Sequence, residues 1–411
     1  MLRVLQVTES ITASAGGTST AFVEIVEALR TQAAEGRASV RAITQDLPAG
    51  DEAARWISGH EPGVWTFTGR PGRLAPGGGA LAREAVRVLD AGEIDVVHLH
   101  GLWLIDLVAI AAQARRRGIP VVWQPHGMLV HAALRHKVWK KRLFRLLSGL
   151  SRELASARAA IFTSDTERDT SDLSILGRAT RREVVPLPVA IPFAESALPG
   201  LIEAGRDRWL KSESADPGRS LYAGAPKPDF TTPLLTFIGR LHPVKRLELA
   251  IAALTIVRRE VPGTRLLLIG EGDEPYVQSL RDLARREGVL DAIIFAGWLN
   301  GQPKWEALAA GDALLIQSEF ENFGYAIVES LVAGTPAVMT RNLSLAAAVE
   351  DIGAGAAADP DPASLARAVL AILARRDRRD MGHRGRRWVE ESFSRQAVGA
   401  RLLSLYQSLR A

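Results

Sequence analysis

Short apolar runs rich in Val, Leu and Ile alternate with longer stretches of helical spacing, the pattern of parallel sheets covered by helices on both faces. The first series predicts strands at 3–8, 39–44, 95–99, 120–123, 160–163 and 183–187, with helices over 18–34, 104–117, 137–156 and 166–176. The alternation stops between Pro186 and Pro233, a stretch holding eight prolines and little periodicity. It resumes with strands at 234–238, 264–269, 292–295, 313–316, 336–339 and 355–358, and with helices such as 247–259 and 325–333. The expectation is an α/β chain of two doubly wound, Rossmann-like domains, 1–190 and 233–392. Between them, 191–232 is expected to be a linker and surface excursion with a short helix near 201–210. The last segment, 393–411, predicts an amphipathic helix that crosses back to the first domain. In doubly wound sheets ligands bind outside the carboxyl ends of the strands, so two such domains are expected to offer their strand-to-helix turns across one central cleft.

Composition narrows the classes without choosing among them. With 411 residues, 47% hydrophobic and 24% charged, the chain has material for two aliphatic cores, which excludes a disordered or fibrous chain and a small stapled domain. It contains no cysteine, which closes disulfides, thiolate metal sites and cysteine nucleophiles. The start, Met1 to Ser10, reads as a buried strand and not as a signal peptide, and no apolar run approaches the length of a membrane span. The expected location is therefore cytoplasmic. The balance of 51 Lys+Arg against 46 Asp+Glu gives a net charge of +5, compatible with anionic ligands or an anionic membrane surface. Nucleic-acid binding gains no support, because neither an aromatic sheet motif nor a helix-turn-helix pattern accompanies the charge.

Three turns carry candidate chemistry. Gly16 and Gly17 open a helix after the first strand, where free backbone N–H groups can accept a phosphate; a plain strand-to-helix turn is the other reading. The turn lacks the dinucleotide fingerprint, so a nicotinamide cofactor is not expected. Gly239-Arg240 and Lys245 surround the start of a second helix, a forked cation and a mobile one suited to a diphosphate, or else a solvated basic helix start. Glu321 in a turn and Glu329 within the following helix can accept hydrogen bonds from vicinal sugar hydroxyls, Glu329 being the better placed for a ribose. Solvated acids near a helix start are the alternative.

Taken in order, Gly16-Gly17, His126-Gly127-Met128, Thr163-Ser-Asp-Thr-Glu167, Gly239-Arg240 with Lys245, Gly270-Glu-Gly272, and two glutamates with seven residues between them resemble the retaining glycosyltransferases of family 4, also called group 1. The resemblance spans almost the whole chain and implies the GT-B fold. It further implies a nucleotide-sugar donor, UDP- or GDP-linked, held mainly by the second domain and needing no metal. Carried over, Arg240 and Lys245 would bind the diphosphate, Glu329 the ribose, Glu321 a donor-sugar hydroxyl, and the backbone from Asn322 through Phe323 and Gly324 the same region. Gly239, Gly272 and the Trp298-Leu299 turn would complete the donor site, and His126 would face the reacting sugar. Val97-His-Leu-His-Gly101-Leu-Trp103 with Gln124-Pro-His-Gly-Met-Leu129 is similar to bacterial envelope and exopolysaccharide enzymes, which implies a saccharide acceptor, lipid-linked in many such pathways. A nucleotide-sugar epimerase of the same fold and a non-catalytic nucleotide-binding subunit are the alternatives.

The remaining motifs lead to simpler expectations. His98 and His100 share one face of a strand but have no third ligand at usable spacing, so no metal site is expected. Asp359-Pro-Asp361 precedes a helix and reads as its cap. The stretch from His136 to Leu147 mixes Lys, Arg, Trp and Leu at helical spacing, which fits either a helix lying on anionic lipid or a core helix with a solvated basic face.

Overall fold

The computed structural model describes residues 1–12, 17–45, 64–68, 79–135, 137–211 and 232–410. The chain divides into two compact units, residues 1–190 with 392–411, and residues 191–391. The first holds a parallel sheet of β1 (Leu2–Thr8), β2 (Ala38–Gln45), β3 (Trp65–Thr68), β4 (Val96–His100), β5 (Val121–Gln124), β6 (Ala159–Phe162) and β7 (Arg181–Val184), in the order β3-β2-β1-β4-β5-β6-β7. The second holds β8 (Leu234–Ile238), β9 (Arg265–Ile269), β10 (Ile293–Gly297), β11 (Ala313–Ile316), β12 (Ala337–Thr340) and β13 (Gly355–Ala358), in the order β10-β9-β8-β11-β12-β13. Strands such as β6 and β11 are buried along their whole length, which is why they read as unbroken apolar runs and not as alternations.

Several elements depart from the periodicity. The edge strand β3 and the helix Ala80–Asp90 were not expected; the helix buries Leu81, Ala82, Ala85, Val88 and Leu89 against the first sheet. The helix expected over 137–156 is broken at Gly149 into Val138–Ser148 and Leu150–Ala155. The one expected over 166–176 ends after Asp165–Asp169, because Ser171 pairs with Val130 in a short antiparallel bridge.

Two features bear on domain organisation. The helix Arg395–Ser408 lies in the first unit against Gly17–Ala34, with Arg395 forked onto Glu24 at 2.7 and 2.8 Å. The segment 191–211, expected as a linker, instead belongs to the second unit, while residues 212–231 lie outside the described residues. Its Leu198, Trp209 and Leu210 are buried, each such side chain contributing roughly 1.5–3 kcal/mol. Its helix Leu198–Arg206 crosses the helix Gly301–Ala309 at Gly205, where a Cβ would stand 2.0 Å from the Glu306 carbonyl oxygen. Only glycine permits that approach. Gly205→Ala is expected to force the two helices apart and cost about 1–3 kcal/mol, read as a lower unfolding temperature by differential scanning calorimetry.

Candidate functional site

In the second sheet the chain winds outward from β8 through β9 to β10, then returns to β11 and winds the other way through β12 and β13. The switch point therefore falls between β8 and β11, where successive turns leave the sheet in opposite directions and open a crevice at the strand ends. Two of the three candidate turns, separated by some eighty residues of chain, follow these two strands.

After β8, the turn runs beside the one after β9. Gly239 N donates to Ile269 O at 2.9 Å and Leu241 N to Glu271 O at 2.7 Å. A Cβ on Gly272 would lie 2.0 Å from Leu241 O, so only glycine allows the two turns to touch. Arg240, Leu241, His242, Glu271, Gly272 and Asp273 line a depression of about 410 Å³. Arg240 is exposed and makes no ion pair among the described residues, so its five N–H donors can meet an anion. Lys245 ends the short turn Pro243–Lys245, which His242 caps by accepting from Val244 N at 3.2 Å.

The turn after β11 is bolted to the first. Glu319 N donates to Val244 O at 2.9 Å, and Gln317 Nε2 to Lys245 O at 2.8 Å. Lys245 Nζ reaches Glu321 Oε1 at 2.5 Å, and Ser318 Oγ donates to the same oxygen at 2.7 Å. Both side chains of the ion pair are less than a fifth exposed. The helix Tyr325–Val332 begins after Gly324, whose φ of +88° is unfavourable for any residue with a side chain. Ile327, Val328 and Leu331 are buried, and on that helix Glu329 meets Lys304 Nζ at 2.9 Å. Among the described residues each carboxylate places one oxygen on a lysine and keeps the other free to accept from a hydroxyl.

The structure thus brings Gly239, Arg240, Lys245, Gly272, Glu321, Asn322 and Gly324 to one end of the sheet. Phe323 is placed differently: its ring is buried and meets Tyr325 edge-on, leaving its backbone as the part that can serve a ligand. Leu299 packs against the cluster of Trp209 and Leu210, whereas Trp298 beside it is half exposed. Gly17 opens the first helix of the other unit, and Gly16 lies outside the described residues.

In the first unit His126 follows β5, buried, with φ of +49°, a conformation costing about 1–3 kcal/mol for a residue with a side chain. Glu167 holds that turn in place. Its Oε1 accepts from Gly127 N at 2.5 Å and its Oε2 from Thr163 N and Oγ1 at 2.6 and 2.7 Å. Burial pushes the Glu167 carboxyl up, and these hydrogen bonds oppose the shift. His126 Nε2 lies 2.9 Å from His100 Nδ1; His100 Nε2 lies 2.7 Å from Gln6 Oε1. Gln6 Nε2 lies 3.2 Å from the Tyr406 hydroxyl, which is 2.7 Å from His98 Nδ1. Burial pushes His126 down to about 4 and, with repulsion from His126, His98 down to about 3. His100 falls well below its ordinary value for the same reasons. A third histidine therefore does join His98 and His100, but their ring nitrogens face Tyr406, Gln6 and each other instead of converging on one point. Among the described residues no group of three His, Asp or Glu has the arrangement to hold a metal ion. Asp361 accepts from Ser364 N at 2.9 Å as the cap of Pro362–Leu373.

Sequence reasoning missed Lys304, Ser318, Gln6 and Tyr406. Only Gln6 carried a signal, a polar residue at the centre of a buried strand, where burial without a partner is costly.

Residues 16–188 match the glycosyl transferase 4-like domain, and residues 225–388 match glycosyl transferases group 1. A glycogen synthase of Mycobacterium tuberculosis is 32% identical over 302 residues, covering 72% of this chain; the chain spans 65% of that relative's length. A D-inositol 3-phosphate glycosyltransferase of Actinosynnema mirum is 26% identical over 355 residues, 83% of this chain and 79% of the relative. The solved structure of Anabaena Alr3699/HepE in complex with UDP superposes with a TM-score of 0.72 at 18% identity, over 99% of this chain and 100% of that one. The likeness in structure establishes the fold, two Rossmann-like domains of the GT-B class.

The three depressed histidines have a consequence for stability. Below pH 6.5 the unfolded chain takes up protons at these positions and the folded chain does not until about pH 4 for His126 and about pH 3 for His98. The stability they contribute is present above pH 6.5 and is lost as pH falls through that window. The unfolding temperature is expected to drop over the interval, with a shallower drop in His126→Gln, measured by calorimetry at stepped pH.

Proposed function

We propose, from the premise that this chain pairs a glycosyl transferase 4-like domain with a glycosyl transferases group 1 domain, that it transfers a sugar from a nucleotide-sugar donor to a saccharide acceptor with retention of anomeric configuration. The observation that carries the reading is the convergence of Arg240, Lys245 and Glu321 at the β8/β11 switch point, with Glu329 on the helix leading away from it. Arg240 and Lys245 take the diphosphate, Glu329 the ribose, and Glu321 a hydroxyl of the donor sugar. Gly239, Gly272, Trp298, Leu299 and the backbone of Asn322, Phe323 and Gly324 complete the donor site, and Gly16 and Gly17 are assigned to donor binding as well. His126 meets the reacting sugar.

Retention follows if the leaving phosphate oxygen remains beside the anomeric carbon and takes the proton of the incoming hydroxyl on the same face. Negative charge then grows on the diphosphate, and preorganised cations together with the helix N-terminus at Gly324 stabilise it. These groups do the work that a metal ion does elsewhere, so the reaction uses no metal cofactor in this reading. The relatives are named as a glycogen synthase and a D-inositol 3-phosphate glycosyltransferase, which does not favour the epimerase alternative, and the presence of both acids and both cations speaks against a non-catalytic subunit. Gln124-Pro-His-Gly-Met-Leu129 and its neighbours support an acceptor from envelope or exopolysaccharide synthesis, carried on a lipid.

Support for membrane contact comes from the helix Val138–Ser148, which contains no buried residue. The helix sets Phe144 against the core cluster of the first unit. Trp139, Leu146 and Leu147 are 67%, 80% and 74% exposed beside Lys140, Arg142 and Arg145, apolar groups ringed by cations as at an anionic bilayer surface. No helix among the described residues is long and apolar enough to cross a membrane; peripheral docking at the cytoplasmic face is the proposal.

Arg240→Ala is expected to lower turnover on UDP- or GDP-linked sugars on the order of 10²-fold without changing the unfolding temperature. Lys245→Ala is expected to lose activity and some stability, because Glu321 is left partly buried without its cation. Turnover should persist in excess EDTA, and NMR of the product should show retained anomeric configuration; near-normal rates in both variants would remove the site. In flotation assays the protein should bind phosphatidylglycerol vesicles in a salt-sensitive manner that the paired change Leu146→Asp with Leu147→Asp abolishes, and no binding at low salt would end the membrane proposal.

A further inference from the structure

We infer that Tyr406, on the C-terminal helix, is a positioning residue that sets which ring nitrogen of His126 carries the proton, acting through Gln6 and His100. The inference rests on the reading of His126 as a site residue and deepens it. Each link is a buried hydrogen bond within the first unit, so the orientation of the Gln6 amide sets every donor along it. A neutral imidazole has one N–H and one lone pair. His100 Nε2 faces the Gln6 carbonyl oxygen at 2.7 Å, an acceptor only, so Nε2 holds the His100 proton. His100 Nδ1 is then a lone pair, and its neighbour at 2.9 Å, His126 Nε2, must be the donor. His126 Nδ1 is left as the lone pair that a hydroxyl of a bound sugar would meet.

At its other end the Gln6 amide meets Tyr406. The Gln6 amide N–H donates to the Tyr406 oxygen at 3.2 Å, which leaves the Tyr406 hydroxyl to donate to His98 Nδ1 at 2.7 Å and the His98 proton on Nε2, buried without a partner among the described residues. Turning the Gln6 amide over would reverse every donor between it and His126. With phenylalanine at 406 the amide N–H groups would point at a ring edge with no acceptor. A buried N–H without a partner is less well tolerated than a bare carbonyl oxygen, so the amide would turn, give its N–H to His100, and shift the His126 proton to Nδ1. Burial of all three rings keeps them neutral and the order well defined, with Tyr406 and Gln6 fully enclosed.

The test uses the full chain labelled with [15N]histidine, in which two-bond proton–nitrogen correlations report the protonated nitrogen of each ring and His126→Gln identifies the His126 signals. The wild-type protein is expected to show His126 protonated at Nε2. Tyr406→Phe is expected to move it toward Nδ1 and to lower kcat about threefold to tenfold, with KM for the nucleotide sugar unchanged. A merely structural tyrosine would alter stability and leave the ring signals in place. Protonation at Nδ1 in the wild type overturns the inference, as does an unmoved His126 signature in Tyr406→Phe; the wild-type spectrum decides even if the variant does not fold. A moved signature with unchanged turnover upholds the relay and instead removes His126 from the transfer reaction.

Discussion

A lysine and a glutamate 76 residues apart in sequence, Lys245 and Glu321, share a hydrogen-bonded contact of 2.5 Å at the end of the second sheet. Both are mostly withdrawn from water, and a pair so placed is tolerable only when the geometry is good and the remaining polar atoms are satisfied. The surrounding turns supply the geometry and leave one Glu321 oxygen to accept from a hydroxyl. Gln317 and Glu319 fasten the turn after β11 to the turn after β8, and Ser318 adds a second donor to the Glu321 oxygen. The pair depends on β8 and β11 being neighbours, and the arrangement of Arg240 and Glu329 around it depends on the same adjacency.

The first unit meets a related constraint with neutral groups. Gln6, His98 and His100 lie on strands that are otherwise apolar, and burial without partners would be costly. They are satisfied by one another, by His126 and by Tyr406, a residue that returns from the far end of the chain. The C-terminal helix is therefore more than a strap. It supplies the hydroxyl that meets Gln6 and His98, and it ties the order of the buried hydrogen bonds to the turn bearing His126. Glu167 secures the same turn from the opposite side.

The two halves of the molecule handle polarity in different ways, and the difference bears on what each can do. The second unit keeps formal charges at a crevice, where Arg240 remains exposed and can answer an anionic ligand. The first keeps uncharged imidazoles in a dry interior, suited to directing a hydroxyl and not to binding a phosphate. Membrane contact, if mediated by Val138–Ser148, would use a third surface, whose leucines no part of the described core covers.

The amino-acid sequence by itself determined the class of the fold and most of its strands, because strands buried on both faces leave unbroken apolar runs that local reading can see. It also marked Arg240, Lys245, Glu321 and Glu329, since glycines, cations and acids stand out in the turns that bound those runs. Strand order was not legible: a parallel crossover can place the next strand on either side, so nothing local says that β11 returns beside β8. Elements with weak local signals were lost for similar reasons, among them the edge strand Trp65–Thr68 and the buried segment around Leu198 and Trp209, whose burial depends on a glycine crossing with a distant helix. Lys304, Ser318 and Tyr406 look like ordinary helix and turn residues in the sequence. Only tertiary structure gives them roles, because hydrogen bonds and ion pairs act over a few ångströms in space and take no account of separation along the chain.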